Sequence, residues 1–306
     1  MDWKQLSLAD REREYSPSSC LPDGDYRPFV ERYRTASNEA WAYLETVPNV
    51  TTTVVAYGEA DTQTIDVAVR RDPASPNSGG AGVPLVVFIH GGYWQELSKM
   101  ESRFAARDCI EQGWAFAAVD YTLAPAATLD EIVAECRAGV GVLHERSVDL
   151  GFDSSKIFVA GSSAGAQLAA MVALDTETND TETNVAGTVL VSGIFELEAL
   201  IGLSINDALA LDHDAAQRNS PLLLDVDGFP STVLAYGSEE TGEFKAQTNA
   251  FATHLDAVST PTHHIEVPDR NHFDVILDLA APGTRLGDAV THLISTAGHS
   301  SKEFGR

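Results

Sequence analysis

The residues Gly161-Ser162-Ser163-Ala164-Gly165 join an apolar run, KIFVAG (156–161), to a stretch of helical composition, AQLAAMVAL (166–174). A serine centred between two glycines at a strand-to-helix turn is the arrangement that nucleophilic acyl transfer requires. The turn is tight, so side chains at Gly161 and Gly165 would meet neighbouring backbone, and the Ser163 hydroxyl is left standing above the sheet. The amino end of the following helix favours the negative charge that develops there. Ser163 is the candidate nucleophile and Ser162 its inert neighbour.

A serine needs a base, and the base needs an acid to orient it. Behind a turn of this kind the order along the chain is serine, acid, histidine. His272 fits the last place: it lies in PDRNHF (268–273), directly after the β-type run HHIEVP (263–268). His90 precedes the serine and reads as a structural hydrogen-bonding group; His263 and His264 lie within a strand, and His254, His292 and His299 on helices or the tail. The acid is expected just after STVLAYG (231–237), where Glu239 and Glu240 are neighbours. Spacing of three residues beyond the glycine that ends the strand selects Glu240, with Glu239 as the alternative. The carboxylate would accept the imidazole N–H, fix the tautomer and stabilise the imidazolium.

The developing oxyanion needs backbone donors, and LVVFIHGGYW (85–94) supplies a glycine-containing loop at the end of a strand. The amide of Gly92 or Tyr93, together with that of Ala164, is expected to hold it, with Gly91 permitting the close approach. Tyr93 and Trp94 beside this loop, Tyr15 in an N-terminal turn and Phe273 after the base are candidates for enclosing an aromatic ring.

The elements that must position these groups follow from periodicity. TTTVVAYG (51–58) and TIDVAVRR (64–71) alternate and are close enough to form an antiparallel hairpin. The short apolar runs LVVFIHGG (85–92), WAFAAVDY (114–121), KIFVAG, TVLVSG (188–193) and STVLAYG are separated by stretches of helical length, the pattern of buried parallel strands alternating with helices. With HHIEVP these runs give about eight strands, mostly parallel, with helices on both faces. Helices are expected around Phe29 to Leu44 and Thr284 to Ser295. Residues 1–306 read as one domain, with 1–50 an N-terminal extension and 194–222 a small lid-like insertion. In that insertion Ile194, Phe195, Leu197, Leu200, Ile201 and Leu203 have helix-like spacing, read as packing rather than substrate contact.

Composition excludes several classes of partner. Forty-five acidic against twenty basic residues give a formal charge of −25, which repels nucleic acids and anionic membranes. No apolar run reaches the length of about eighteen residues that a membrane span needs, and the N-terminus is polar, so a cytoplasmic protein is expected. The acidic stretch DTETNDTETN (175–184) reads as a solvated loop, and the acidity fits a salt-rich cytoplasm. Cys20, Cys109 and Cys136 are far apart, in no pair that suggests a disulfide framework or a thiolate metal site. No cofactor is expected, and a homodimer is among the states the chain could take.

Taken together, EYSPSS (14–19), HGGYWQ (90–95), DYTLAP (120–125), GSSAGAQLA (161–169), SGIFELEAL with SPL (192–200 and 220–222) and YGSEETGEFKAQ (236–247) resemble the kynurenine formamidases of the α/β-hydrolase type over nearly the whole chain. The resemblance implies an α/β-hydrolase fold, a Ser163, His272 and Glu240 triad, the HGGYW loop as oxyanion hole and no metal. It implies hydrolysis of a small aromatic acyl amide, in that family N-formylkynurenine to kynurenine and formate, as in tryptophan catabolism. The glutamate departs from the aspartate of many relatives, so Glu239 stays open beside Glu240. Longer N-acyl arylamines such as N-acylanthranilates, aryl or short-chain esters, and a non-catalytic binding role are the alternatives.

Overall fold

The computed structural model describes residues 3–71, 82–174 and 184–297. The acidic stretch 175–183, most of the loop 72–84 and His299 lie outside them.

The first hairpin forms where the alternation puts it, as β1 (Val50–Ala56) against β2 (Thr64–Arg70) in antiparallel register, Val50 facing Arg70. It joins β3 (Leu85–Ile89), β4 (Ala115–Val119), β5 (Ile157–Ser162), β6 (Gly187–Val191), β7 (Thr232–Gly237) and β8 (Thr262–Val267). The sheet order is β1-β2-β4-β3-β5-β6-β7-β8, with β2 antiparallel to β4 and every later pair parallel.

Strands β3 to β6 are apolar on both faces because both are covered. Val87 and Val159 point into one hydrophobic layer, while Phe88 and Phe158 next to them point into the other. The first layer is closed by α4 (Leu129–Glu145), α6 (Ala164–Ala173) and α9 (Gly242–Ala257). The second is closed by α2 (Arg27–Thr46), α3 (Ala106–Glu111) and α10 (Arg285–Thr296). Helix α4 starts in a capping box in which Thr128 and Glu131 satisfy each other's backbone donors. Shorter helices are α1 (Leu8–Glu14), α5 (Ser147–Leu150), α7 (Asn206–Leu209) and α8 (His213–Arg218). None of the helices among the described residues is long and apolar enough to cross a membrane.

Three features differ from the sequence pattern. Helix α1, capped by the Ser7 side chain on the Asp10 N–H, occupies a polar stretch with no apolar stripe to announce it. The helix-like spacing of 194–203 yields only a 3-10 turn at Leu197–Leu200. The N–H groups of Phe195 and Glu196 go to Gln247 Oε1 and that of Leu197 to Ser220 Oγ, so tertiary bonds take the donors a helix would use. Strand β2, whose alternation suggests one wet face, is buried, and Asp66 in its middle is neutralised by Lys99 at 3.0 Å and by Arg103.

Candidate active site

Three loops at the carboxyl ends of parallel strands meet beside one cavity. The first is the elbow after β5. Ser163 has φ 57° and ψ −125°, a left-handed conformation that is strained for any residue with a Cβ. The strain persists because the surroundings permit nothing else: a Cβ on Gly161 would strike the carbonyl of Gly165, and one on Gly165 the carbonyls of Ile89 and His90. Gly165→Ala is accordingly expected to lower stability by more than about 3 kcal/mol, since the obstacles are backbone atoms; a melting temperature equal to wild type would contradict this packing.

The second loop follows β3. Gly92, Tyr93 and Trp94 are consecutively left-handed, with φ of 91°, 50° and 60°. A Cβ at Gly91 would stand 2.6 Å from Ser162 O, so glycine is what lets the loop approach the elbow. Trp94 is completely buried in the core, its indole N–H donating to Gln167 Oε1 at 3.1 Å, and it does not line the cavity. That corrects the expectation of a substrate contact: the left-handed backbone turns the ring inward, where it anchors the loop. Tyr93 does line the cavity, but its hydroxyl is engaged with the carbonyl of Tyr15. Among the described residues the N–H groups of Gly92 and Tyr93 have no backbone acceptor, and that of Ala164 opens helix α6, where no intrahelical acceptor exists. His90 has its ring stacked on Tyr121 at 4.2 Å and its Nδ1 2.9 Å from Gly91 O, the geometry of a structural group.

The third region joins acid and base. Glu240 is buried, and its Oε2 lies 2.9 Å from His272 Nδ1. Its Oε1 accepts the Gly237 N–H and the Ser192 hydroxyl, each at 2.6 Å. Glu239 is exposed, and its N–H donates to Arg270 O. Of the two neighbouring carboxylates, then, Glu240 meets the imidazole. His272 packs on Phe244 at 4.4 Å, and it lines the cavity together with Ser163, Gly91, Gly92 and Phe273.

The cavity is about 260 Å³. Tyr15, Ser16, Pro17 and Ser18 close one side, and Leu203, Ser204 and Ile205 of the 194–222 segment another. Glu12 accepts the Ser204 N–H at 3.0 Å and the Ser204 hydroxyl, and Arg11 donates to Ile201 O at 2.8 Å, so α1 and that segment are clasped together over the site. Tyr15 is buried, with its hydroxyl accepting from Gln247 Nε2 at 2.8 Å. Burial pushes the Tyr15, Tyr33 and Tyr93 phenols well above their ordinary values, so they remain neutral. Phe273 is stacked on Tyr26 at 5.9 Å and on Phe29 at 5.4 Å, and Tyr33 donates to its carbonyl. Helix α2 thus steadies the loop that carries His272. Ser192, Tyr33 and Gln167 were not evident as site residues from sequence, because each reaches the site through contacts far away along the chain.

The chain has relatives among known proteins. A family profile described as BD-FAE matches residues 72–226. The kynurenine formamidase of Danio rerio is 32% identical over 289 residues, covering 91% of this chain and 93% of that protein. That of Salmo salar is 31% identical over 90% of this chain and 93% of its own. Among solved structures, an esterase from the hyperthermophilic archaeon Pyrobaculum calidifontis superposes with a TM-score of 0.67 at 20% identity, covering 90% of this chain and 93% of that one, a likeness of fold. The extent and level of identity, over a sheet and cavity of this form, mean that the chain belongs to the kynurenine formamidase family of α/β hydrolases.

Proposed function

We propose that the chain is a cytoplasmic serine hydrolase that cleaves the formyl amide of N-formylkynurenine, with Ser163 as nucleophile, His272 as base and Glu240 as its orienting acid. The observation that carries the reading is the buried Glu240 and His272 pair, whose imidazole lines one cavity with Ser163, beside the amides of Gly92 and Tyr93 that have no backbone acceptor among the described residues.

Ser163 Oγ adds to the formyl carbon and its proton passes to His272 Nε2. The carbonyl oxygen becomes an oxyanion, held by the amides of Gly92 or Tyr93 and Ala164. His272 returns the proton to the aniline nitrogen, the C–N bond breaks and kynurenine leaves. Water then adds to the formyl ester on Ser163, giving its proton to His272, and formate departs as the serine is reprotonated.

The cavity favours this substrate over its rivals. At about 260 Å³ it holds a small-molecule substrate. Its wall holds Glu12, Glu96 and Glu101 but no Lys or Arg among the described residues. Arg34 pairs with Glu101, whereas Glu96, among the described residues, accepts the Tyr26 hydroxyl at 3.0 and 3.1 Å and has no cation beside it. An N-acylanthranilate would bring a carboxylate into this wall, while formylkynurenine brings an ammonium as well as a carboxylate. The free, buried thiols of Cys109 and Cys136 suit a reducing compartment.

In a panel at equal concentration, kcat/KM for N-formylkynurenine is expected to exceed that for N-formylanthranilate and for acetyl or longer anilides by at least about tenfold. Faster turnover of p-nitrophenyl butyrate than of the matched formamide would favour the esterase reading. Because the proposed chemistry is carried by side chains, EDTA is expected to leave kcat/KM unchanged; loss of activity restored by zinc would contradict it.

A further inference from the structure

We propose that Ser192 is a positioning residue, which holds the Glu240 carboxylate in register with Ser163. The inference rests on the triad proposed above. Ser192 follows the last residue of β6 and is completely buried. Its hydroxyl donates to Glu240 Oε1 at 2.6 Å, and its N–H is fixed to Ala235 O on β7 at 2.8 Å. The residue before it, Val191, accepts the N–H of Ser163 at 2.8 Å. Two adjacent residues at the tip of one central strand therefore grip the two ends of the triad, the nucleophile through a backbone bond and the acid through a side-chain bond.

Glutamate makes such a grip necessary. Its carboxylate turns about one more bond than that of aspartate, and without a restraint the oxygen facing His272 Nδ1 would be one of several rotamers. Ser192 Oγ and Gly237 N–H together fix Oε1, which leaves Oε2 aimed at the imidazole. The backbone of Ser192 is left-handed, with φ 52°, a conformation that disfavours any side chain beyond glycine. A non-glycine residue held there, with its hydroxyl on the acid, is strain of the kind that accumulates at functional sites.

Ser192→Ala and Ser192→Gly separate the hydroxyl from the backbone, because glycine removes the hydroxyl while relieving the left-handed strain. Both are expected to lower kcat on N-formylkynurenine by about ten- to a hundredfold with KM within about twofold, as for a misaligned catalytic group. A buried hydroxyl with only a packing role would give Ser192→Gly a wild-type kcat. In a double-mutant cycle, Ser192→Ala added to Glu240→Ala should change kcat by less than about threefold, because the hydroxyl acts through the carboxylate alone. Losses that multiply in the double variant, or a wild-type kcat in Ser192→Gly while Glu240→Ala is crippled, would overturn this inference and leave the triad standing. A wild-type kcat in Glu240→Ala would overturn the triad, and the role of Ser192 with it.

Discussion

Ser163→Ala is expected to lower kcat on N-formylkynurenine by about a millionfold, the loss of about 8 kcal/mol of transition-state stabilisation. Alanine leaves no atom to form the acyl intermediate, and the loop amides that remain provide only residual catalysis. The fold should survive, since Ala keeps the Cβ that the left-handed backbone already accommodates and the N–H to Val191 O is untouched. Ser162→Ala is the control: Ser162 is the last residue of β5, and its substitution should change kcat by less than about threefold. A Ser163→Ala variant that folds and turns over within tenfold of wild type would remove the basis of the mechanism.

Glu240→Gln should cost about ten-thousandfold in kcat with little change in KM, measured under the same conditions. The amide is nearly isosteric and can still accept from Ser192 and Gly237, so the backbone has no reason to move. What it presents to His272 Nδ1 is an N–H donor, which selects the wrong imidazole tautomer for taking the serine proton. Glu239→Gln, one residue away, should stay within about twofold, because that side chain is exposed and outside the cavity. The contrast between these two adjacent variants separates a specific role from the general effect of removing one negative charge from a very acidic chain.

The parts of this site that were legible in the sequence are those encoded locally. The elbow is a contiguous strand, turn and helix, so Ser163 could be read from some fifteen neighbouring residues. Glu240 stands three residues beyond the end of β7 and His272 in the loop after β8, positions that strand endings alone locate. The sheet covered on both faces was likewise visible, because parallel strands of that kind are short, apolar and regularly spaced.

What escaped depends on contacts between distant residues. Ser192 meets Glu240 across 48 residues, and Tyr33 meets Phe273 across 240. Nothing near Ser192 in the chain distinguishes it from a turn serine. Helix α1 is polar and short, and its role in the cavity wall appears only when Glu12 reaches Ser204. Trp94 illustrates the opposite case: an aromatic in the HGGYW loop has the composition of a substrate contact, but the backbone twist buries it against Gln167.

Peptide mapping of the intact enzyme after reaction with a fluorophosphonate reports which side chain is the nucleophile. One adduct per chain is expected, on Ser163, formed with complete loss of N-formylkynurenine hydrolysis. An adduct on Ser162 instead, or full hydrolytic activity in protein labelled at Ser163, would contradict it.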